Sequence, residues 1–164
     1  MEQTLRKVSV SGLAIDSNNN APVVLLKETG GSGVLPIWIG PAEASAIAME
    51  LAGLSMKRPL THDLLRNVID GLGAQVLRVV VNDLVGQTFH AEIFLQQDKS
   101  LIKIDARPSD SIALALKTNA PIFVSKKIFA YNEEPTDESE EQKAQELRER
   151  LQRINPEDFG NYTL

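Results

Sequence analysis

Two Arg-Pro pairs, Arg58-Pro59 and Arg107-Pro108, each announce a helix start in this chain. Proline holds φ near about −65° and has no N–H to donate, so it is accepted in a helix's first turn and pushes the residue before it into extended backbone. Each pair therefore marks a boundary between extended chain and helix. Polar side chains follow at once: Thr61-His62-Asp63 after the first pair, Ser109-Asp110 after the second. A helix start leaves backbone N–H groups without intrahelical partners and carries a partial positive charge, which suits an anion such as phosphate.

The stretches between these boundaries carry β periodicity. Residues 5–15 and 22–28 are rich in Val, Leu and Ile, and Asp16-Ser17-Asn18-Asn19-Asn20 between them is turn chemistry, so a hairpin is predicted. Gly30-Gly31-Ser32-Gly33 is a loop without the Lys-Ser/Thr ending of a phosphate-binding P-loop. Pro36 places the following strand at a sheet edge or a bulge. Further on, Leu77, Val79 and Val81 alternate on one face, as do Phe89, Ala91, Ile93 and Leu95, with His90 on the wet side. In the next strand Ile102 and Ile104 point inward and Lys103 and Asp105 outward.

Three helices are predicted in this body. Pro41 opens the first, alanine-rich over 42–54, with Glu43, Ile47, Glu50 and Leu54 on one face. Its two glutamates are seven residues, or ~10 Å, apart along the axis, which favours salt bridges over a shared metal ion. In the second, Thr61 is the expected N-cap and Leu64, Leu65, Val68, Ile69 and Leu72 form the buried stripe. The third starts at Pro108 and is almost wholly apolar through Leu116, which makes it central. A short strand at 121–124 and an element from Lys126 complete residues 1–132. Residues 133–164 read as an acidic linker followed by an amphipathic helix over 142–154.

Charge follows the same division. Residues 1–130 hold 13 Lys and Arg against 12 Asp and Glu, whereas residues 131–164 hold 4 against 10, so the net −5 comes from the tail. A near-neutral body neither demands nor forbids a nucleic-acid partner. The absence of cysteine excludes disulfides and thiolate chemistry. No apolar run has the length of a membrane span or of a signal peptide's core, so a cytoplasmic protein without a membrane partner is expected.

The runs Leu35-Pro36-Ile37-Trp38-Ile39-Gly40-Pro41-Ala42-Glu43-Ala44, Arg58-Pro59-Leu60-Thr61-His62-Asp63-Leu64-Leu65 and Asp105-Ala106-Arg107-Pro108-Ser109-Asp110-Ser111-Ile112-Ala113-Leu114-Ala115 together resemble the bifunctional nuclease family. The resemblance covers about residues 4–132. It implies a compact α+β domain with an antiparallel or mixed sheet, oligomeric assembly, and DNA and RNA as substrates. It supplies no residue roles, so those follow from residue type. Arg58 and Arg107 suit a phosphate clamp, and His62 suits a general base or acid. Asp63 and Asp110 share the two helix starts with them, and Asp63, Asp83, Asp105 and Asp110 offer carboxylates to Mg²⁺ or Mn²⁺. The same residues can instead cap helices and form ion pairs in a non-catalytic oligomeric module that binds an anion or a partner. Catalysis in one pocket requires the two helix starts to be neighbours.

Overall fold

The computed structural model describes residues 4–133. Its strands are β1 (Leu5–Ile15), β2 (Pro22–Glu28), β3 (Val34–Trp38), β4 (Ala74–Val85), β5 (Thr88–Gln97), β6 (Ser100–Ala106) and β7 (Ile122–Ser125). Its helices are α1 (Pro41–Leu51), α2 (Thr61–Gly71), α3 (Pro108–Thr118) and α4 (Lys126–Glu133). The seven strands form one mixed sheet in the order β3-β2-β1-β7-β4-β5-β6. All pairings are antiparallel except β4 with β7. This is the α+β architecture that the resemblance implied. Apart from Glu133, the linker and helix predicted over 133–164 lie outside the described residues.

Local chemistry sets several of these elements. The β1–β2 turn closes with Asn20 in the left-handed region at φ 58°, which asparagine tolerates. Pro36 sits in β3 at the sheet edge, where a missing N–H breaks no ladder. α3 starts as the proline rule requires: Arg107 is extended at φ −71°, ψ 146°, and Pro108 is the first helical residue. Ser111, Ile112, Ala113 and Leu114 are fully buried, and α1 and α2 both pack on this helix. Ala44 of α1 is likewise fully buried, consistent with small side chains that let helices come close.

Four expectations fail for identifiable reasons. The ladder between β4 and β5 shifts register between Val76 and Arg78, so Leu77 is a bulge residue and is 42% exposed instead of joining Val79 and Val81. Ile104 lies on β6, the edge strand of the sheet, and is 43% exposed. The N-cap of α2 is Leu60, not Thr61; its N–H donates to Asp63 Oδ2 at 2.9 Å. The α2 stripe is the largest departure. Only Ile69 is buried, while Leu64, Leu65, Val68 and Leu72 face outward.

Leu114 is the natural probe of this core, since α3 supports both flanking helices. Leu114→Ala should cost about 3 kcal/mol through the cavity it leaves. Denaturant unfolding at constant slope measures it.

Candidate functional site

The fold brings the two Arg-Pro helix starts together. His62, in the first turn of α2, makes a 2.9 Å hydrogen bond from Nε2 to Asp110 Oδ1 in the first turn of α3. The other carboxylate oxygen accepts from Arg107 Nε at 2.8 Å. Arg107 Nη2 donates in turn to Glu43 Oε1 of α1 at 3.0 Å. A continuous chain of four ionisable groups therefore crosses three helices, Glu43–Arg107–Asp110–His62. Arg107 can do this because Pro108 holds it extended, outside the helix, with its side chain free to reach both neighbours.

Asp110 is the acceptor on which the chain turns. Burial pushes its carboxyl pKa upward, but the bonds from Arg107 and His62 outweigh burial and hold it below the usual carboxylate range. An ionised Asp110 accepts from His62 Nε2–H, so Nδ1 is the ring nitrogen that faces away from the carboxylate. The guanidinium of Arg107 is raised further by Asp110, and then by Glu43.

Asp63 belongs to a second, adjacent cluster. Lys117 of α3, whose side chain is 9% exposed, bridges Glu50 Oε1 at 2.5 Å and Asp63 Oδ1 at 2.6 Å. Burial disfavours its charge, yet the two carboxylates keep the ammonium pKa above its ordinary value. Asp63 is lowered by Lys117 first and by the Leu60 N–H second. The glutamates of α1 are thus salt-bridged, one to each cluster. Lys117 gave no sign of its role in the sequence. It is the last basic residue of an apolar helix, a position that equally suits the helix dipole.

The remaining sequence candidates lie apart. Arg58 is exposed in the loop before α2 and joins no ion pair among the described residues. Asp83, at the β4–β5 pairing opposite His90, binds Lys127 at 2.9 Å, which lowers its pKa. Asp105 is exposed on β6 opposite Glu92. His90 is exposed, as its alternation implies. Asp83, Asp105 and Asp110 are therefore not assembled into a ligand set. Among the described residues, no three His, Asp or Glu side chains converge as metal ligands.

Beside Arg107 opens a cleft of about 380 Å³. It runs from the end of β3, through the start of α3, to the β4–β5 turn and is lined by Trp38, Phe89, Gln87, Thr88, Arg107 and Ser109 among others. Neither Glu43 nor Asp110 lines it. Sequence reasoning treated Trp38 and Phe89 as strand residues only, because their spacing of 51 positions says nothing of the cleft they come to share.

The family model for the bifunctional nuclease domain matches residues 24–137. An uncharacterized protein of Mycobacterium tuberculosis is 40% identical over 162 residues, covering 93% of this chain and 97% of its own length. Bifunctional nuclease 2 of Arabidopsis thaliana is 31% identical over 121 residues, covering 70% of this chain but 36% of its own. Bifunctional nuclease 1 of Oryza sativa subsp. japonica is 27% identical over 120 residues, with 71% and 36% covered.

The lowered carboxyls of Asp63 and Asp110 make an acid-stability prediction. Because their folded pKa lies below the unfolded one, their stabilisation is complete above about pH 4 and is lost as pH falls through the folded values. Thermal melts from about pH 7 to about pH 3 should show Tm falling at the acid end. Asp110→Asn should lower Tm at neutral pH and flatten that acid slope.

Proposed function

We propose that this chain, which belongs to the bifunctional nuclease domain family, is a phosphodiesterase that cleaves DNA and RNA in the cytoplasm. The observation that carries the reading is the His62–Asp110 hydrogen bond, which joins helix starts 48 residues apart in sequence. It leaves His62 Nδ1 as a base whose partner nitrogen is held by a carboxylate, an arrangement suited to proton transfer. In the proposed reaction a water oxygen attacks phosphorus in line while His62 Nδ1 takes its proton. The bond from phosphorus to the leaving ester oxygen breaks, and that oxygen is protonated from solvent. Arg107 Nη1, which is committed to neither carboxylate, binds a phosphoryl oxygen, and the exposed Arg58 binds the strand alongside.

Mg²⁺ or Mn²⁺ enters this proposal as a counter-ion of the substrate's phosphates. Of the four candidate aspartates, Asp110, Asp63 and Asp83 are engaged with Arg107, Lys117 and Lys127, and Asp105 lies apart on β6, so no step here depends on a protein-held ion. That same engagement favours a second reading, a non-catalytic module that binds anions or a partner, with the ion pairs serving the fold.

A second copy of the chain belongs to the proposal as well. Leu64, Leu65, Val68 and Leu72 of α2 are 57%, 37%, 48% and 66% exposed, an apolar face of a kind that monomers seldom leave to water. Arg66 and Asp70, paired at 3.5 Å, lie on the other side of the helix by its 3.6-residue period and leave this face uncharged. A two-fold contact of α2 with its own copy sets this uncharged apolar face against itself.

Purified His62→Ala, Arg107→Ala and Asp110→Asn should each lose about 100-fold or more of the cleavage of single-stranded DNA and RNA, with circular dichroism unchanged. Full activity in all three would sink the assignment, and binding without turnover across a Mg²⁺ and Mn²⁺ titration would establish the module instead. A chelator should slow cleavage, and added Mg²⁺ or Mn²⁺ should restore it. For the assembly, Leu64→Asp with Val68→Asp should convert the oligomer to a monomer in light scattering; a monomeric unsubstituted chain refutes it.

A further inference from the structure

We propose that the cleft beside Arg107 seats one unstacked nucleotide of a single strand, with its base against Trp38 and Phe89 and its phosphate on Arg107. The proposal rests on the nuclease reading for the class of ligand and adds to it a selectivity, single strand over duplex.

The cleft has the size and make-up for it. About 380 Å³ lies at the lower end of the roughly 300–1,000 Å³ of small-molecule sites, enough for a single nucleotide and little more. Trp38 is 39% exposed at the end of an edge strand, and its Nε1–H donates to Asp16 Oδ2 at 3.1 Å. That bond fixes the indole plane and satisfies its only donor, so the ring has surface left for stacking. Phe89 presents a second ring in the same cleft. Aromatic side chains serve every base, since every base has a π-face.

The polar groups are placed for the rest of a nucleotide. Ser109 is only 6% exposed, and its hydroxyl has no hydrogen-bond partner among the described residues although it lines the cleft. Open to the cleft and engaged with no protein group, that hydroxyl can donate to or accept from a ligand atom. Arg107 is the sole charged residue lining the cleft, and two carboxylates already fix its guanidinium. Gln87 and Thr88 at the β4–β5 turn supply exposed amide and hydroxyl groups within reach of a base edge. A base stacked inside a duplex presents no free face, so entry requires a strand already single or a base turned out of its stack.

Trp38 is the only tryptophan of the chain, which makes its emission a direct reporter of the site. The full chain, in a chelator to suppress turnover, is titrated with a ten-residue oligothymidylate, a blunt duplex of the same length and thymidine monophosphate. The oligothymidylate should quench Trp38 saturably and bind about tenfold or more tightly than the duplex. Phe89→Ala should weaken it about tenfold, Ser109→Ala less, and Trp38→Phe should keep the affinity, read by anisotropy, that Trp38→Ala loses. Equal affinity for strand and duplex, binding by anisotropy without quenching, or unchanged binding by Trp38→Ala would overturn the proposal. So would a monophosphate that binds as tightly as the strand. If Phe89→Ala fails to fold, the strand and duplex titrations of the unsubstituted chain decide alone. Quenching without cleavage would fail the nuclease reading and leave this one standing; cleavage without quenching would do the reverse.

Discussion

The hydrogen-bonded chain from Glu43 through Arg107 and Asp110 to His62 depends on a helix buried on almost every side. Ser111 through Ala115 of α3 are all within 1% of full burial, so α3 has no freedom to shift against the sheet. Its first turn emerges from that core at one defined place, carrying Asp110 to α2 and leaving Arg107 beside α1. The carboxylate at that position accepts from a different donor on each oxygen, which fixes its orientation. Lys117, two turns further along the same helix, repeats the arrangement with Glu50 and Asp63. Two ionic crosslinks thus tie α1 and α2 to α3, and one of them coincides with the candidate chemistry.

This economy has a consequence for charge. Arg107 and Lys117 each face two carboxylates, so the clusters themselves do not form a basic patch. The cleft is different, because its one charge is positive and its walls are aromatic and neutral. On the proposed reading, recognition of a polyanion rests on local geometry more than on overall field, in keeping with a body whose basic and acidic residues nearly cancel. The apolar face of α2 lies on the same helix that bears His62.

Much of the fold was legible in the sequence, residue by residue. β1 and β2 begin and end where the Val/Ile/Leu runs and the Asp16–Asn20 turn put them, and Pro36 marks a true edge. The centrality of α3 follows from its near-continuous apolar run. The errors cluster where a neighbour decides. Leu77 was misplaced because a bulge is a property of two strands together. Ile104 was misplaced because alternation cannot say that β6 is the last strand. Leu64, Val68 and Leu72 have helical spacing whether a partner element is present or not, and periodicity alone read them as buried.

The sequence by itself determined the two helix starts, because proline geometry and first-turn chemistry are local, and it carried the motifs that place the chain in its family. It also singled out His62, Arg107 and Asp110 as chemically apt. Only the tertiary structure decided that Asp110 joins His62, that Asp63 turns instead to Lys117, and that Trp38, Phe89 and Ser109 share one cleft with Arg107. Ser109 stands two positions from Arg107, but the other pairings span from 18 to 71 positions of chain, set by how the helices and the strand ends pack, and no residue spacing encodes them.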